Sequence, residues 1–282
     1  MSTPTSTISP RIPIGVEPAT PIIIFQEVSI SFDQKPVLRE ISFQLERGET
    51  KAIFGVAGAG KSTILKLALG LMKPDSGRIL VLGEDVTAMK EEDLFELRRK
   101  VGMVFQESAL FDSLNVRDNV AFRLIEEGQT PPEEIEQRVR EALSFVELQN
   151  TVDLFPSELS GGMRRRVAIA RAIITHPEVI LYDSPTGGLD PVTSTTIIEL
   201  IVKQRDVYGT SSLLVTHRLQ DAFMMASHYF DKESGHMWPI KDDPKRKIPM
   251  KFLILRDGKI IFDGDVQELE KCKDEYIEEY IS

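Results

Sequence analysis

Gly55-Val56-Ala57-Gly58-Ala59-Gly60-Lys61-Ser62-Thr63 is the stretch on which the fold of this chain turns. Lys51-Ala52-Ile53-Phe54 precedes it and reads as a short buried strand; Ile64-Leu65-Lys66-Leu67-Ala68-Leu69 follows and reads as a helix. Strand, glycine-rich loop and helix, in that order, turn a G-x-x-x-x-G-K-[ST] match into a phosphate-binding loop. The chemistry requires these residue types. Glycines let backbone N–H groups converge on one concavity, where amides and the helix N-terminus hold an anion. Lys61 then reaches the outer phosphates, and the Ser62 hydroxyl is placed to ligate Mg²⁺. The plainer alternative is a glycine-rich turn that starts a helix. At ordinary glycine usage the full pattern arises by chance in roughly one chain in a hundred of this size.

On the N-terminal side, residues 1–21 are rich in Ser, Thr and Pro with few aromatics, the composition of an arm without fixed structure. Residues 22–45 alternate apolar and polar in two runs around Asp33-Gln34-Lys35-Pro36, which predicts two strands joined by a turn. Phe32 stands just before that turn, where packing in the sheet is one role open to it. On the C-terminal side, Pro74-Asp75-Ser76-Gly77 is a turn and 78–82 a strand. Residues 91–100 predict a short charged helix, and 101–106 a strand ending on Gln106. From about 107 to about 170 only helical periodicity remains, clearest at Ile135, Val139, Leu143 and Val146. An all-helical insert in an α/β chain is a second lobe rather than part of the sheet.

Leu159-Ser160-Gly161-Gly162-Met163-Arg164-Arg165-Arg166 opens a helix that Ser160 can cap, and its glycines let a phosphate approach the first amides. Three cations in a first turn oppose the helix dipole, so something else must use those charges. Residues 178–183 form a buried strand ending on Asp183, placed as an Mg²⁺-coordinating acid is in a phosphate-loop enzyme. A second such strand, 211–217, ends on His217, at the sheet edge where open α/β sheets bind ligands. Residues 231–250 are mostly polar and contain proline, with Trp238 the only Phe, Tyr or Trp; they are either a functional excursion or a loop. A hairpin around Asp257-Gly258 and a short amphipathic helix at 276–281 close the chain.

Bulk properties narrow the class of protein. The 282 residues carry a formal net charge of −10, so no basic field recommends nucleic acid as a partner. A single cysteine, Cys272, excludes an internal disulfide and fits a reducing compartment. The longest apolar runs fall far short of the roughly 20 residues of a membrane helix, and there is no apolar signal core. The expectation is a soluble cytoplasmic protein.

The phosphate loop alone fits kinases, GTPases and many ATPases. Joined to Leu159-Ser160-Gly161-Gly162, Asp183, Leu189-Asp190-Pro191 and His217, it resembles the ATP-binding subunit of ABC transporters, over about 22–221 plus the C-terminal hairpin. The resemblance implies an α/β fold: a P-loop NTPase (RecA-like) core with an inserted α-helical subdomain and an N-terminal antiparallel β portion. The implied layout is an ATP-binding domain over 22–265, with the helical subdomain at about 107–170 and a C-terminal helix at 266–282. Two ATP molecules would be sandwiched in a head-to-tail homodimer, docked on a separate membrane permease at the inner face of the cell membrane.

By position, Phe32 resembles the aromatic that stacks on adenine. Gly55, Gly58, Ala59, Gly60, Lys61, Ser62 and Thr63 belong to the Walker A loop. Gln106 is the Q-loop glutamine beside Mg²⁺ and the attacking water. Ser160, Gly161 and Gly162 form the signature that meets the γ-phosphate held by the other subunit. Asp183 is the Walker B acid and shares Mg²⁺ with Ser62 and Gln106; Asp190 is the D-loop acid and His217 the switch histidine. Gln106 to Val116, with apolar Leu110, Phe111 and Leu114, is similar to the corresponding segment of Mla/Mce-type lipid transporter ATPases. That segment is either a permease-docking surface or part of the subdomain's own core.

Three departures from the family pattern surround the γ-phosphate. Ser184 follows Asp183 where active relatives carry a glutamate as general base; Ala57 and Gly187 stand where serine is common. Each removes a polar group but leaves the ATP- and Mg²⁺-binding residues in place. A general base contributes roughly 10²–10⁴ in rate, so binding is expected to survive better than hydrolysis. Two functions remain open: the ATPase of a lipid-type transporter, or a non-transport ABC protein acting as an ATP-gated scaffold or clamp.

Overall fold

The computed structural model describes residues 21–242 and 247–281. The expected N-terminal arm, up to residue 20, lies outside the described residues. The described chain opens on β1 (Pro21–Phe32) and β2 (Lys35–Glu46), antiparallel, turning over Asp33 and Gln34. Both turn residues have positive φ, 49° and 62°, the backbone of a two-residue hairpin whose twist matches its strands. β3 (Thr50–Gly55) runs into the phosphate loop and α1 (Lys61–Ala68). β4 (Ser76–Val81) returns beside β1 and is extended by β5 (Glu84–Asp85), giving an antiparallel sheet in the order β2-β1-β4-β5.

Next come α2 (Glu91–Arg99) and β6 (Val101–Val104). The helical lobe follows as α3 (Val116–Glu127), α4 (Pro132–Phe145) and α5 (Gly161–Ile173). The chain then alternates through β7 (Val179–Asp183), α6 (Pro191–Tyr208), β8 (Ser211–Val215) and α7 (Leu219–Ser227). β9 (His228–Asp231) and β10 (His236–Pro239) form a small hairpin. β11 (Met250–Arg256) and β12 (Lys259–Gly264) form another, before α8 (Val266–Glu270) and α9 (Glu275–Ile281).

The central sheet has the order β12-β11-β3-β8-β7-β6, parallel throughout except for the edge strand β12. Strands buried on both faces need a layer on each side, and side-chain alternation divides them cleanly. Ala52 and Phe54 of β3, with Ile180 and Tyr182 of β7, join the core formed with α3 to α6. Ile53, Val179 and Leu181, their neighbours in sequence, join the opposite core with α1, α2 and the antiparallel sheet. In α4, Ile135, Val139 and Leu143 are buried at the helical spacing read from the sequence.

The polar stretch 231–250 is not simply a loop. Trp238 lies opposite Tyr229 in the β9–β10 pairing, and its Nε1 donates to Ser234 Oγ at 2.9 Å. Four-residue strands of mixed polarity leave no alternation long enough to read. Residues 243–246 of that stretch lie outside the described residues.

Candidate functional site

The phosphate loop leaves β3 at its C-terminal end, and backbone conformation decides its shape. Gly60 caps α1 at φ 93°, and a Cβ there would meet Leu38 Cδ2 at 2.7 Å. Gly55 has φ 150°, and a Cβ would meet the Leu255 carbonyl oxygen at 2.6 Å. Only glycine fits such positions. Lys61 is buried beneath the loop, its Nζ donating to the carbonyls of Gly55 and Val56, both at 2.8 Å. Burial pushes its pKa down, and the nearby Asp183 carboxylate opposes that. Ala59 is buried behind the loop.

Phe32, Val37, Ala57, Gly58, Gly60, Lys61, Ser62, Thr63, Gln106, Ser184 and His217 line one open cleft of about 360 Å³. Residues from five separate segments thus converge, with the half-exposed Phe32 among them. Ser62 Oγ donates to Asp183 Oδ1 at 3.0 Å. Two oxygens bound side by side to one octahedral Mg²⁺, at about 2.0–2.1 Å each, stand roughly that far apart. The pair therefore fits the ion. No cluster of three His, Cys, Asp or Glu able to hold a metal occurs among the described residues. The remaining ligands would be phosphate oxygens, water and Gln106, as is usual for Mg²⁺. His217 is exposed, and its pKa is pushed down by burial of its surroundings and by the Lys61 charge, against Asp183.

Ser184 is buried and has φ 46°, a left-handed conformation uncommon for serine. Its N–H donates to Val215 O at 2.8 Å, and its carbonyl accepts from Gly187 N at 3.0 Å. It lines the cleft together with Gln106. No local pattern indicates what holds this turn. Arg165 donates to the carbonyls of Phe105 and Ser184, both at 3.2 Å, and of Gly187 at 3.4 Å. Arg164 reaches Leu159 O, and Arg166 reaches Val146 O at 3.1 Å. The three cations that oppose the α5 dipole are thus spent on carbonyls. By contrast α2 has Glu91, Glu92 and Asp93 in its first turn and Arg98 and Arg99 in its last, the favourable order. The signal for the α5 arginines is the misplaced charge; the partners of Arg165, 19 to 60 positions away, are not readable from it.

Ser160, Gly161, Gly162 and Asp190 lie elsewhere. Ser160 caps α5, accepting from Met163 N at 3.2 Å, and Asp190 caps α6, accepting from Thr193 N at 3.0 Å. Donation from the Thr193 hydroxyl and amide holds the Asp190 pKa below the usual carboxylate range. Ser160, Gly162, Met163 and Thr193 line a second cleft of about 240 Å³. Within one chain, the structure does not bring the signature residues to the Lys61 loop.

Downstream of Gln106, Leu110 packs against the helical core, whereas Phe111 is 41% exposed and rests on Phe122, ring centroids 4.3 Å apart. Asn119, fully buried, binds the Phe111 amide and carbonyl and the Leu114 carbonyl, fixing this segment.

The ABC transporter family profile matches residues 38–187. Over 260 residues the chain is 34% identical to the intermembrane phospholipid transport system ATP-binding protein MlaF of Escherichia coli (strain K12), covering 92% of this chain and 88% of that protein. It is 38% identical over 242 residues to methionine import ATP-binding protein MetN 1 of Bacillus cereus, covering 82% and 70% respectively. Among solved structures, the dimeric post-hydrolysis state of the ATP-binding cassette MJ0796 bound to ADP and Pi matches with a TM-score of 0.73 at 28% identity. It covers 86% of this chain and 98% of that one. A cbiO1 structure from Clostridium perfringens, part of an ABC transporter complex, matches with a TM-score of 0.75 at 27% identity, covering 90% and 92%.

Proposed function

The chain belongs to the ABC transporter family as an ATP-binding subunit, and from that premise we propose that it powers the movement of lipid-like cargo through a separate membrane permease, holding ATP firmly and cleaving it slowly. The observation that supports this reading is a cleft lined by Phe32, Lys61, Ser62, Gln106 and His217, with Ser184 and no carboxylate at the position after Asp183. The lipid class is supported by the segment after Gln106 and by the extent of the match to a phospholipid-transport relative. A methionine-import relative is matched over less of its length, which makes the cargo a matter for experiment.

In the proposed mechanism Phe32 stacks on adenine, and the amides of the 55–63 loop take the phosphates. Lys61 exchanges its two carbonyl partners for the β- and γ-phosphate oxygens. Ser62, Asp183 and Gln106 would hold Mg²⁺, which would supply neutralisation of the phosphate charge. Ser160, Gly161 and Gly162 of a second copy close over the γ-phosphate, with Asp190 beside them. This trans arrangement is supported by the separation of two anion-seeking helix starts within one chain. Gln106 orients the attacking water. A serine hydroxyl is a poor base near neutral pH, so the proton passes to the neutral His217 ring or to the γ-phosphate, leaving a residual rate. Phe111 offers the permease its apolar anchor, and Leu110 stays with the core.

Vesicles carrying the permease and this chain test the reading. ATP should drive transfer of a fluorescent phospholipid and no uptake of labelled methionine. Methionine uptake, or lipid transfer indifferent to ATP, overturns the cargo; a chain that binds no permease is a scaffold or clamp instead.

A further inference from the structure

In the segments that follow Gln106 and Asp183, three non-glycine residues have left-handed backbone: Ser108 at φ 64°, Ala109 at 47° and Ser184 at 46°. Each carbonyl is bound by an arginine of the same helix. Arg171 donates to Ser108 O and Ala109 O, both at 2.7 Å; Arg165 donates to Ser184 O and also to Phe105 O and Gly187 O. Phe105 immediately precedes Gln106, and Ser108 follows two residues later. The two arginines therefore grip both shoulders of Gln106 from α5, the helix that Ser160 caps and whose first turn carries Gly162.

A purely structural arginine is a poor explanation. Arg165 is only 5% exposed, its hydrogen-bond partners are neutral carbonyls, its Nε is buried without one, and the Glu107 and Asp183 charges offset the burial only in part. Burying a charge on such terms is unfavourable, and strained backbone persists where the surroundings over-determine it. We propose that Arg165 is a positioning residue for ATP cleavage: its planar fork fixes the Gln106 segment and the 184–187 turn relative to each other and to α5. A movement of the signature helix would then be felt at both loops facing the attacking water. Lysine, a point charge on a flexible stem, cannot bridge three carbonyls in this way. The proposal rests on the assignment of Gln106 and Ser184 to the hydrolytic end of the cleft.

Arg165→Gln and Arg165→Lys in the full chain test it, through ATP affinity, kcat and thermal midpoint. The expected result for Arg165→Gln is ATP affinity within about twofold of the parent and kcat lower by about tenfold or more. Arg165→Lys should recover only part, and any gain from Ser184→Glu should shrink in the Arg165→Gln background. Unchanged kcat in both variants overturns the proposal. So does a fall in kcat and affinity together in proportion to lost folded protein, or failure of both variants to fold. If Ser184→Glu alone raises nothing, the assignment of position 184 fails, while a kcat loss on Arg165→Gln at native Ser184 still upholds the positioning role.

Discussion

Ser62 Oγ donates to Asp183 Oδ1 across 3.0 Å, joining the first turn of α1 to the end of β7 although 121 positions separate them. Asp183→Asn keeps the shape of this contact and removes the charge that suits it to Mg²⁺. Interactions with a charged group are worth about 1.5–3 kcal/mol, or about ten- to a hundredfold in affinity. Titration with a fluorescent ATP analogue should show that loss with Mg²⁺ present and little change in EDTA. Equal losses in both conditions would separate Asp183 from the metal.

Ser184→Glu restores a carboxylate one residue beyond Asp183. Steady-state ATP turnover should rise by about one to four decades, the range a general base supplies. Should Ala57 and Gly187 also misplace the water, the gain appears only when they are restored too. Gly187 is close enough for this, since a Cβ there would lie 3.2 Å from Ser184 O. Native turnover of about 1 s⁻¹ or more, untouched by the substitution, would sink the idea and direct attention to Asp190 and His217.

Tyr182 is fully buried in β7, and its hydroxyl has no hydrogen-bond partner among the described residues. Burial pushes its pKa up, so the neutral phenol is what the core holds. An unsatisfied buried polar group costs about 1–3 kcal/mol. Tyr182→Phe should therefore raise the thermal midpoint, by about 2–4 °C per kcal/mol at this chain length. A lower midpoint would mean that the hydroxyl finds a partner in solution.

His176 follows α5 at φ 51°, beside a small cavity shared with Arg138, Glu141, Gln204 and Tyr208. The ring is exposed at the surface, yet the protein crowded around it, then the Arg138 charge, pulls its pKa below 6.5, with Glu141 opposing. The folded chain thus resists a proton that the unfolded chain accepts, and stability falls as pH drops through 6.5 towards the lower folded value. Asparagine tolerates this backbone and does not titrate. His176→Asn should match the native midpoint near about pH 7.5 and exceed it progressively towards about pH 5.5. Parallel profiles would remove His176 as the cause.

The 55–63 loop, the cap at Ser160 and the strand end at Asp183 were legible because each is a local rule, whereas β8 stops at Val215, two residues short of the expected end at His217. Glycine conformations, a serine accepting amides one turn on and an apolar run closed by a polar residue all lie within about ten positions. The family resemblance added the pairing of motifs that local rules cannot relate. The β9–β10 hairpin was not legible, because its strands are too short and too polar to display a period. Leu110 and Phe111, adjacent and both apolar, were indistinguishable until packing buried one and left the other exposed.

By itself, then, the sequence determined the α/β class, the phosphate loop and the absence of a carboxylate at position 184. Tertiary structure alone decided that Ser62 meets Asp183, that the signature residues stand apart from the Lys61 loop, and that Arg165 binds three carbonyls. The physical reason is range. A backbone preference or a cap is settled by neighbours in the chain. The destination of a long cation depends on which distant carbonyls the folded sheet presents, and no spacing encodes that.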